Sequence, residues 1–339
     1  AVNIRLWGYF DKNFGDDLMQ LIVIRSMKEY RFFADCAQRE FLTHLYGEEN
    51  VTVGGAECKA DAVVNVIGTG FRYRSKMNIL TKFLSLPSED RTKYAKKAVI
   101  DCSVDAPKNA AERWLVRREL NKYGLISCRD EVSRALISEM TAKGEVCRHE
   151  DIVFALGNEY ISKPTNEGCL GVIPVQRGFS GENFEYYKTL SAVCDRYAEK
   201  NNGEILIFAL DTGNENDTLA ALTVKRLMRR ADKAEIIAYN AEPKYIFDNL
   251  ARCEKVISSR FHGVIAAILT GIPAVAVSDT SKLDILSKRL GFESVKKIDI
   301  DEKCLAAALE RADKPIAVPQ GFRADAAEHL AELRRYLES

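Results

Sequence analysis

Strand-length apolar runs alternate with helix-length segments along this chain, and the alternation begins afresh after its midpoint. That pattern confines the fold to parallel sheets wound with helices on both faces. In the first half, strand patterns at 3–10, 62–67, 98–102 and 125–128 come with helical patterns at 18–27, 110–122 and about 129–142. Residues 157–168, rich in Gly, Asn, Pro, Ser and Thr, read as a linker. Strands then recur at 169–175, 205–210, 235–239, 256–257 and 274–277. Helices are expected at 183–201, 217–231, 243–250, 264–270, 282–290, 302–311 and 322–337. The expectation is α/β, with two Rossmann-like domains at 1–160 and 168–319, each a parallel doubly wound sheet, and with the last helix, 320–339, packing back on the first. A ligand site between two such halves follows from that reading.

The stretch from Val256 to Asp279 concentrates the chemistry. Val256-Ile257 end a strand, Ser258-Ser259-Arg260-Phe261-His262-Gly263 make a loop and first helical turn, and an apolar helix follows. Gly271 suits the position just past a helix end, and Pro273 comes where the helix cannot continue. Open α/β sheets bind ligands at the C-terminal ends of strands. A helix N-terminus there offers free N–H groups to an anion, Arg260 a fork of donors, and His262 a group that titrates near neutral pH. An arginine in that place is equally suited to pairing with a carboxylate of the protein itself. The test is where its guanidinium points.

Other strand ends carry polar loops. Asn13-Phe14-Gly15-Asp16-Asp17 precedes an apolar helix, and Asp16 or Asp17 suits its N-cap. Gly68-Thr69-Gly70, running on to Arg74, follows the second strand, and its glycines permit close backbone approach. Ser103 to Pro107 and Arg177 end two further strands.

Charge and cysteine usage exclude several classes. Lys plus Arg and Asp plus Glu number 49 each, so no net field draws the chain to nucleic acid or an anionic membrane. Nine dispersed cysteines, an odd number with no C-x-x-C, fit a reducing compartment and no disulfide framework. His44, His149, His262 and His329 form no metal-binding sequence motif, so no metal is expected and activity should survive a chelator. No run of about 18 apolar residues predicts a transmembrane span. The chain opens directly on a strand-like run without a signal-peptide pattern, so the cytoplasm is the expected location.

Taken in order, these motifs resemble the polysaccharide pyruvyl transferase family over most of the chain. The resemblance rests on Asn13-Phe14-Gly15-Asp16-Asp17, Gly68-Thr69-Gly70, the segment 127–133, and His149-Glu150-Asp151-Ile152-Val153-Phe154. Its most specific part is Ser258 to Gly263 with Gly271-Ile272-Pro273 and Lys282 downstream. The chain departs from the family in having Gly-Thr-Gly for three glycines, and Asp105-Ala106-Pro107 where Gly-Pro is frequent.

The resemblance implies a fold like that of the two-domain B-type glycosyltransferases. It implies transfer of the enolpyruvyl group of phosphoenolpyruvate to two hydroxyls of one sugar, giving a pyruvate ketal and phosphate, with no cofactor. On that basis His262, Asp16 and Asp17 are the candidate catalytic residues. Arg260, Gly263, Arg177, Ser259 and Lys282 are candidates for donor binding, and Asn13, Gly15, Gly68 and Gly70 for acceptor binding. Family acceptors are often lipid-linked or polymeric, which extends the expected location to the inner face of the membrane. Two other readings share the fold: a B-type transferase using a nucleotide sugar, and a carbohydrate- or anion-binding protein without catalysis.

Overall fold

A computed structural model describes residues 2–36, 39–47, 50–54, 59–71, 96–141, 143–178 and 180–339. Cys58, Ala142 and the Arg72-Tyr73-Arg74 end of the glycine loop lie outside the described residues. The chain forms two compact units. The first takes Ala1–Phe10, Asp16–Ala155 and Gly321–Ser339; the second takes Asp11–Gly15 and Leu156–Gln320.

The first unit is built on strands β1 (Asn3–Gly8), β2 (Arg31–Ala34), β3 (Val51–Val53), β4 (Ala62–Val66), β5 (Lys96–Cys102), β6 (Leu125–Cys128) and β7 (Glu145–Arg148). They form one parallel sheet in the order β3-β2-β1-β4-β5-β6-β7. Its helices are α1 (Phe14–Ser26), α2 (Arg39–Tyr46), α3 (Ala110–Leu120) and α4 (Glu131–Met140). Asn109 and Asp130 cap α3 and α4 by accepting backbone N–H groups of Glu112 and Ser133. Val99, Ile126, Leu120 and Ile137 are wholly buried between the sheet and these two helices.

The second unit repeats the plan with β8 (Cys169–Ile173), β9 (Ile205–Ala209), β10 (Ala234–Ala238), β11 (Cys253–Ser258), β12 (Ala274–Ser278) and β13 (Ser294–Lys296). The order is β10-β9-β8-β11-β12-β13, again all parallel. Its helices are α5 (Gly181–Asn201), α6 (Asp217–Leu227), α7 (Pro243–Ala251), α8 (Phe261–Thr270), α9 (Ser281–Leu290) and α10 (Glu302–Arg311). Strand β8 is buried at every position, as a central parallel strand covered on both faces must be. The last helix, α11 (Phe322–Glu338), belongs to the first unit and packs on β5 and β6.

Two differences from the sequence reading concern the N-terminal loop. The helix starts at Phe14, so Asp16 and Asp17 lie in its first turn and neither is the cap. Asn13 stands at the boundary instead, its Oδ1 accepting the Gly15 N–H at 3.0 Å. The loop also belongs to the second unit. Asn13 bridges Asp211, the Phe14 N–H donates to the Leu210 carbonyl at 2.9 Å, and the Phe14 ring packs on Tyr239 and Phe247.

Candidate active site

In each sheet the strand order reverses direction beside the first strand of the unit: at β1 and β4 in one, at β8 and β11 in the other. Ligand crevices in open α/β sheets open at such points, beyond the carboxyl ends of the strands. The segment Arg177 follows β8, and Ser258 to Gly263 follow β11, so both flank the reversal of the second unit.

The turn after β11 is built from short-range contacts. The Ser258 hydroxyl donates to the Arg260 carbonyl at 2.9 Å and accepts the Arg260 N–H at 3.2 Å. Ser259 is buried, its N–H donating to the Ile173 carbonyl and its hydroxyl 2.7 Å from that of Tyr186. A Cβ on Gly263 would come within 2.5 Å of Ser258 Oγ and 2.9 Å of Ile173 Cδ1. Glycine is therefore required there for α8 to sit against β8 and β11. Ser259 and Gly263, expected in donor binding, thus also have packing roles in this turn.

Arg260 departs furthest from expectation. Its Nε and Nη2 donate to the two oxygens of Asp217 at 2.8 and 2.6 Å, and its Nη1 pairs with Glu215. Asp217 is wholly buried and also accepts the N–H groups of Gln176 and Asp211, both at 3.1 Å. A buried carboxylate requires such a partner, and the guanidinium fork matches its geometry. Burial works against the Arg260 charge, but the two carboxylates overcome it and raise its pKa further. The fork expected to clasp an incoming anion is occupied by carboxylates of the protein.

Beside this pair lies Asp211, wholly buried. Its Oδ2 accepts from Asn13 Nδ2 at 2.9 Å and its Oδ1 from the Gly213 N–H at 3.0 Å. Burial pushes its carboxyl up to about 6, against the opposing effects of Asn13 and Arg260. Asp211, Glu215 and Asp217 were not singled out from the sequence. Their signal is an acidic Asp-Thr-Gly-Asn-Glu-Asn-Asp loop directly after an apolar strand.

His262 occupies the first turn of α8 and lies on the backbone of Gly15: a Cβ there would fall 1.9 Å from its Nδ1. Phe261 meets the same ring edge-on at 5.4 Å. The N-terminal loop and the β11 turn, more than 240 residues apart in sequence, are thus brought together at Gly15 and His262.

Arg177 pairs with Asp279 at 2.5 Å, and Lys282 stands in the first turn of α9. A cavity of about 620 Å³ opens beside Asp279, lined also by Tyr186, Thr280 and Lys297. Burial lowers the pKa of Lys297, a cation that sequence reading passed over at the end of the short strand β13.

The first unit has its own strand-end group. The Gly68 carbonyl accepts the Ser103 N–H, and the Gly70 N–H donates to the Ser103 carbonyl, both at 3.1 Å. This ties the glycine loop to the end of β5. A Cβ on Gly68 would stand 3.3 Å from both terminal nitrogens of Arg129. Arg129 is buried, donating to Asp151 at 2.8 Å and Ser103 at 2.9 Å, with Asp101 3.8 Å away. Asp101 sits where the β5–β6 register slips, with a left-handed φ of 61° that is rare outside glycine. The charge of Asp16 also bears on Arg129. Asp17 is wholly buried, close enough to Tyr46 for its charge to add to the effect of burial on that phenol. Complete burial removes Asp17 from contact with a sugar hydroxyl, so its expected catalytic place is corrected to a structural one.

Among solved structures, the UDP-GlcNAc 2-epimerase of Neisseria meningitidis bound to UDP-GlcNAc is similar over 99% of this chain and 100% of its own, with TM-score 0.64 at 11% identity. The Methanocaldococcus jannaschii UDP-GlcNAc 2-epimerase aligns over 99% and 100%, with TM-score 0.62 at 10% identity. Anabaena HepE in complex with UDP aligns over 100% and 98%, with TM-score 0.56 at 12% identity. At these identities the likeness is one of fold, that of the two-domain B-type glycosyltransferase class. No curated protein matches the chain in sequence. The sequence model of the polysaccharide pyruvyl transferase family, however, matches residues 6–281, from β1 through to the start of α9, and the chain belongs to that family of transferases.

Proposed function

We propose that the protein transfers the enolpyruvyl group of phosphoenolpyruvate to two hydroxyls of one sugar in a polysaccharide or its precursor. In the balanced reaction, the C3 methylene gains one proton and becomes a methyl group. C2 then takes the two sugar oxygens in turn and loses phosphate. Of the two hydroxyl protons, one offsets that added to C3 and the other leaves with phosphate. No cofactor enters, and phosphoenolpyruvate is a co-substrate.

The observation that carries this reading, beside family membership, is the placing of His262. It is a titratable ring at the N-terminal turn of α8, fixed against the Gly15 main chain at a strand-order reversal. A proton donor to C3 needs this kind of fixed position. The helix N-terminus supplies positive potential for the anionic donor, and Arg177, Lys282 and Lys297 are the cations of the same unit that would meet its carboxylate and phosphate. Arg260 acts here by positioning: held by Asp217, it sets the turn that carries His262. Asp16, Gly68 and Gly70 are the first unit's candidates for binding the acceptor. Gly15 lies against the His262 ring, and Asn13 holds the Gly15 N–H.

The test is phosphate release from phosphoenolpyruvate across galactose-, glucose- and mannosamine-containing acceptors, repeated in deuterated water. Acceptor-dependent release with one deuterium in the new methyl group is expected. Turnover of nucleotide sugars with no use of phosphoenolpyruvate would replace this reading with that of a glycosyltransferase. Binding without turnover of either would leave a carbohydrate-binding protein.

A further inference from the structure

Apart from the strand-end loops, the first unit gathers Cys147, His149 and Glu332, with one ligand atom of each within 4.8 Å of the others. Among the described residues this is the one such group able to hold a metal ion. Cys147 lies on the edge strand β7, His149 immediately follows it, and Glu332 comes from α11. We propose that these three residues bind a zinc-like divalent cation that clamps the returning helix α11 to the edge of the sheet.

The histidine carries the argument. Both its ring nitrogens are buried and neither has a hydrogen-bond partner, a costly state for an imidazole. Each faces a carboxylate at more than hydrogen-bond distance: Nε2 lies 3.8 Å from Glu332 Oε1, and Nδ1 lies 3.5 Å from Asp325 Oδ1. Two atoms bound to one tetrahedral zinc at about 2.1 Å stand roughly 3.4–3.7 Å apart. The Nε2–Oε1 gap is therefore close to what a shared cation requires. Asp325 takes the part of the outer carboxylate that orients a metal-bound imidazole through its other nitrogen.

Charge and softness select the cation. One thiolate and one carboxylate neutralise a divalent ion, and imidazole adds no charge. Sulfur, nitrogen and oxygen donors together favour zinc over magnesium or calcium. A water completes the fourth position. Arg335, whose guanidinium now pairs with Glu332, is largely exposed and free to turn to solvent when the cation takes its place. Arg148, 3.7 Å from Asp325, balances the outer carboxylate. The spacing escapes sequence inspection because Cys-x-His on one strand end is completed only by a glutamate 183 residues later.

The test uses the full chain, stripped of metal, titrated with Zn2+ alone and separately with Co2+. One Zn2+ per chain should bind and raise the melting temperature. Co2+ should develop a thiolate charge-transfer band. Cys147→Ser should abolish that band and weaken Zn2+ binding at least 100-fold, and Asp325→Asn should weaken it roughly 10- to 100-fold. Cys304→Ser, at an exposed cysteine outside the group, should leave both unchanged. Should Cys147→Ser fail to fold, the Co2+ spectrum of the parent and Zn2+ titration of Glu332→Gln decide the matter. A parent that binds Co2+ without a thiolate band, or a Glu332→Gln variant that binds Zn2+ as tightly as the parent, overturns the proposal.

Discussion

His262 and Arg260 are two residues apart, yet they differ in how much of their role the sequence discloses. Position alone places His262 at a strand end and helix start. The direction of the Arg260 fork depends on Asp217, 43 residues upstream, and no local pattern reveals that partner. Asp211 is similar: its raised pKa comes from burial, which the residue type does not announce. If His262 protonates C3, His262→Asn should lower kcat by about 10²-fold or more while donor affinity changes much less. Gly15→Ala tests the same geometry from the other side, since its new methyl would displace the ring. It should lower kcat with the histidine still present. A folded His262→Asn protein turning over at the parent rate would move the proton donor to a carboxylate, with Asp211 the first to examine.

Asp211 also makes a prediction about pH. Burial lifts it from 3.8 to about 6, so the folded protein holds a proton that the unfolded chain releases in that interval. Its contribution to stability is full below 3.8 and is lost as pH rises through about 6. Asp217 and Asp101 are shifted in the same direction, burial being the main cause in each, so the slope of the parent alone is not diagnostic. The difference in unfolding free energy between parent and Asp211→Asn is diagnostic. It should favour the parent most at acid pH and shrink across this window, and a difference that stays constant with pH would remove Asp211 as the titrating group.

At the scale of elements, long segments with clear periodicity were legible. Four of the five strands of three to four residues, β2, β3, β7 and β13, were not, because so few residues carry no readable alternation; the fifth, β6, is buried at every position and shows as a mostly apolar run. Each gains its place from parallel pairing with a neighbouring strand of its sheet. The start of α1 was placed four residues late because its first turn, Phe14-Gly15-Asp16-Asp17, reads as a polar glycine loop. What fixes that turn is burial of Phe14 between Tyr239 and Phe247, a long-range effect. The β11–α8 turn is similarly tied to the loop before α6 by the Arg260–Asp217 pair, whose side chains are 17% and 0% exposed. Removing one partner of a buried pair typically costs about 3–5 kcal/mol, because it strands the other charge. Asp217→Ala should therefore lower the stability of the second unit by about that amount in urea unfolding. A loss below about 1 kcal/mol would mean that Arg260 finds solvent or Glu215 at little cost, and that the turn does not depend on the pair.

At the scale of the whole molecule, the chain does not divide at a single point. The second unit recruits Asp11–Gly15 from the N-terminal end, and the first recovers Gly321–Ser339 from the C-terminal end. The restart of the βα alternation locates the main crossing, but a five-residue recruitment leaves no compositional trace. The returning helix has physical weight. Phe322, Leu330, Leu333 and Leu337 are buried along one face of α11, with Ala326 and His329 wholly buried between them. His329 Nε2 donates to the Glu150 carbonyl at 2.9 Å and lies 3.2 Å from Asp101, while Nδ1 meets the Ser127 hydroxyl. At about 1.5–3 kcal/mol for each of the four large apolar side chains, their burial contributes roughly 6–12 kcal/mol. That equals the whole stability of an ordinary domain, about 5–15 kcal/mol. A chain ending at Gln320 should thus lose the first unit while keeping the second. Hydrogen exchange read by mass spectrometry should show β5 and β6 exchanging freely and β8 and β11 still protected. If β5 and β6 remain protected in the shortened chain, the first unit closes its core without α11, and the helix is an addition to the fold and not one of its walls.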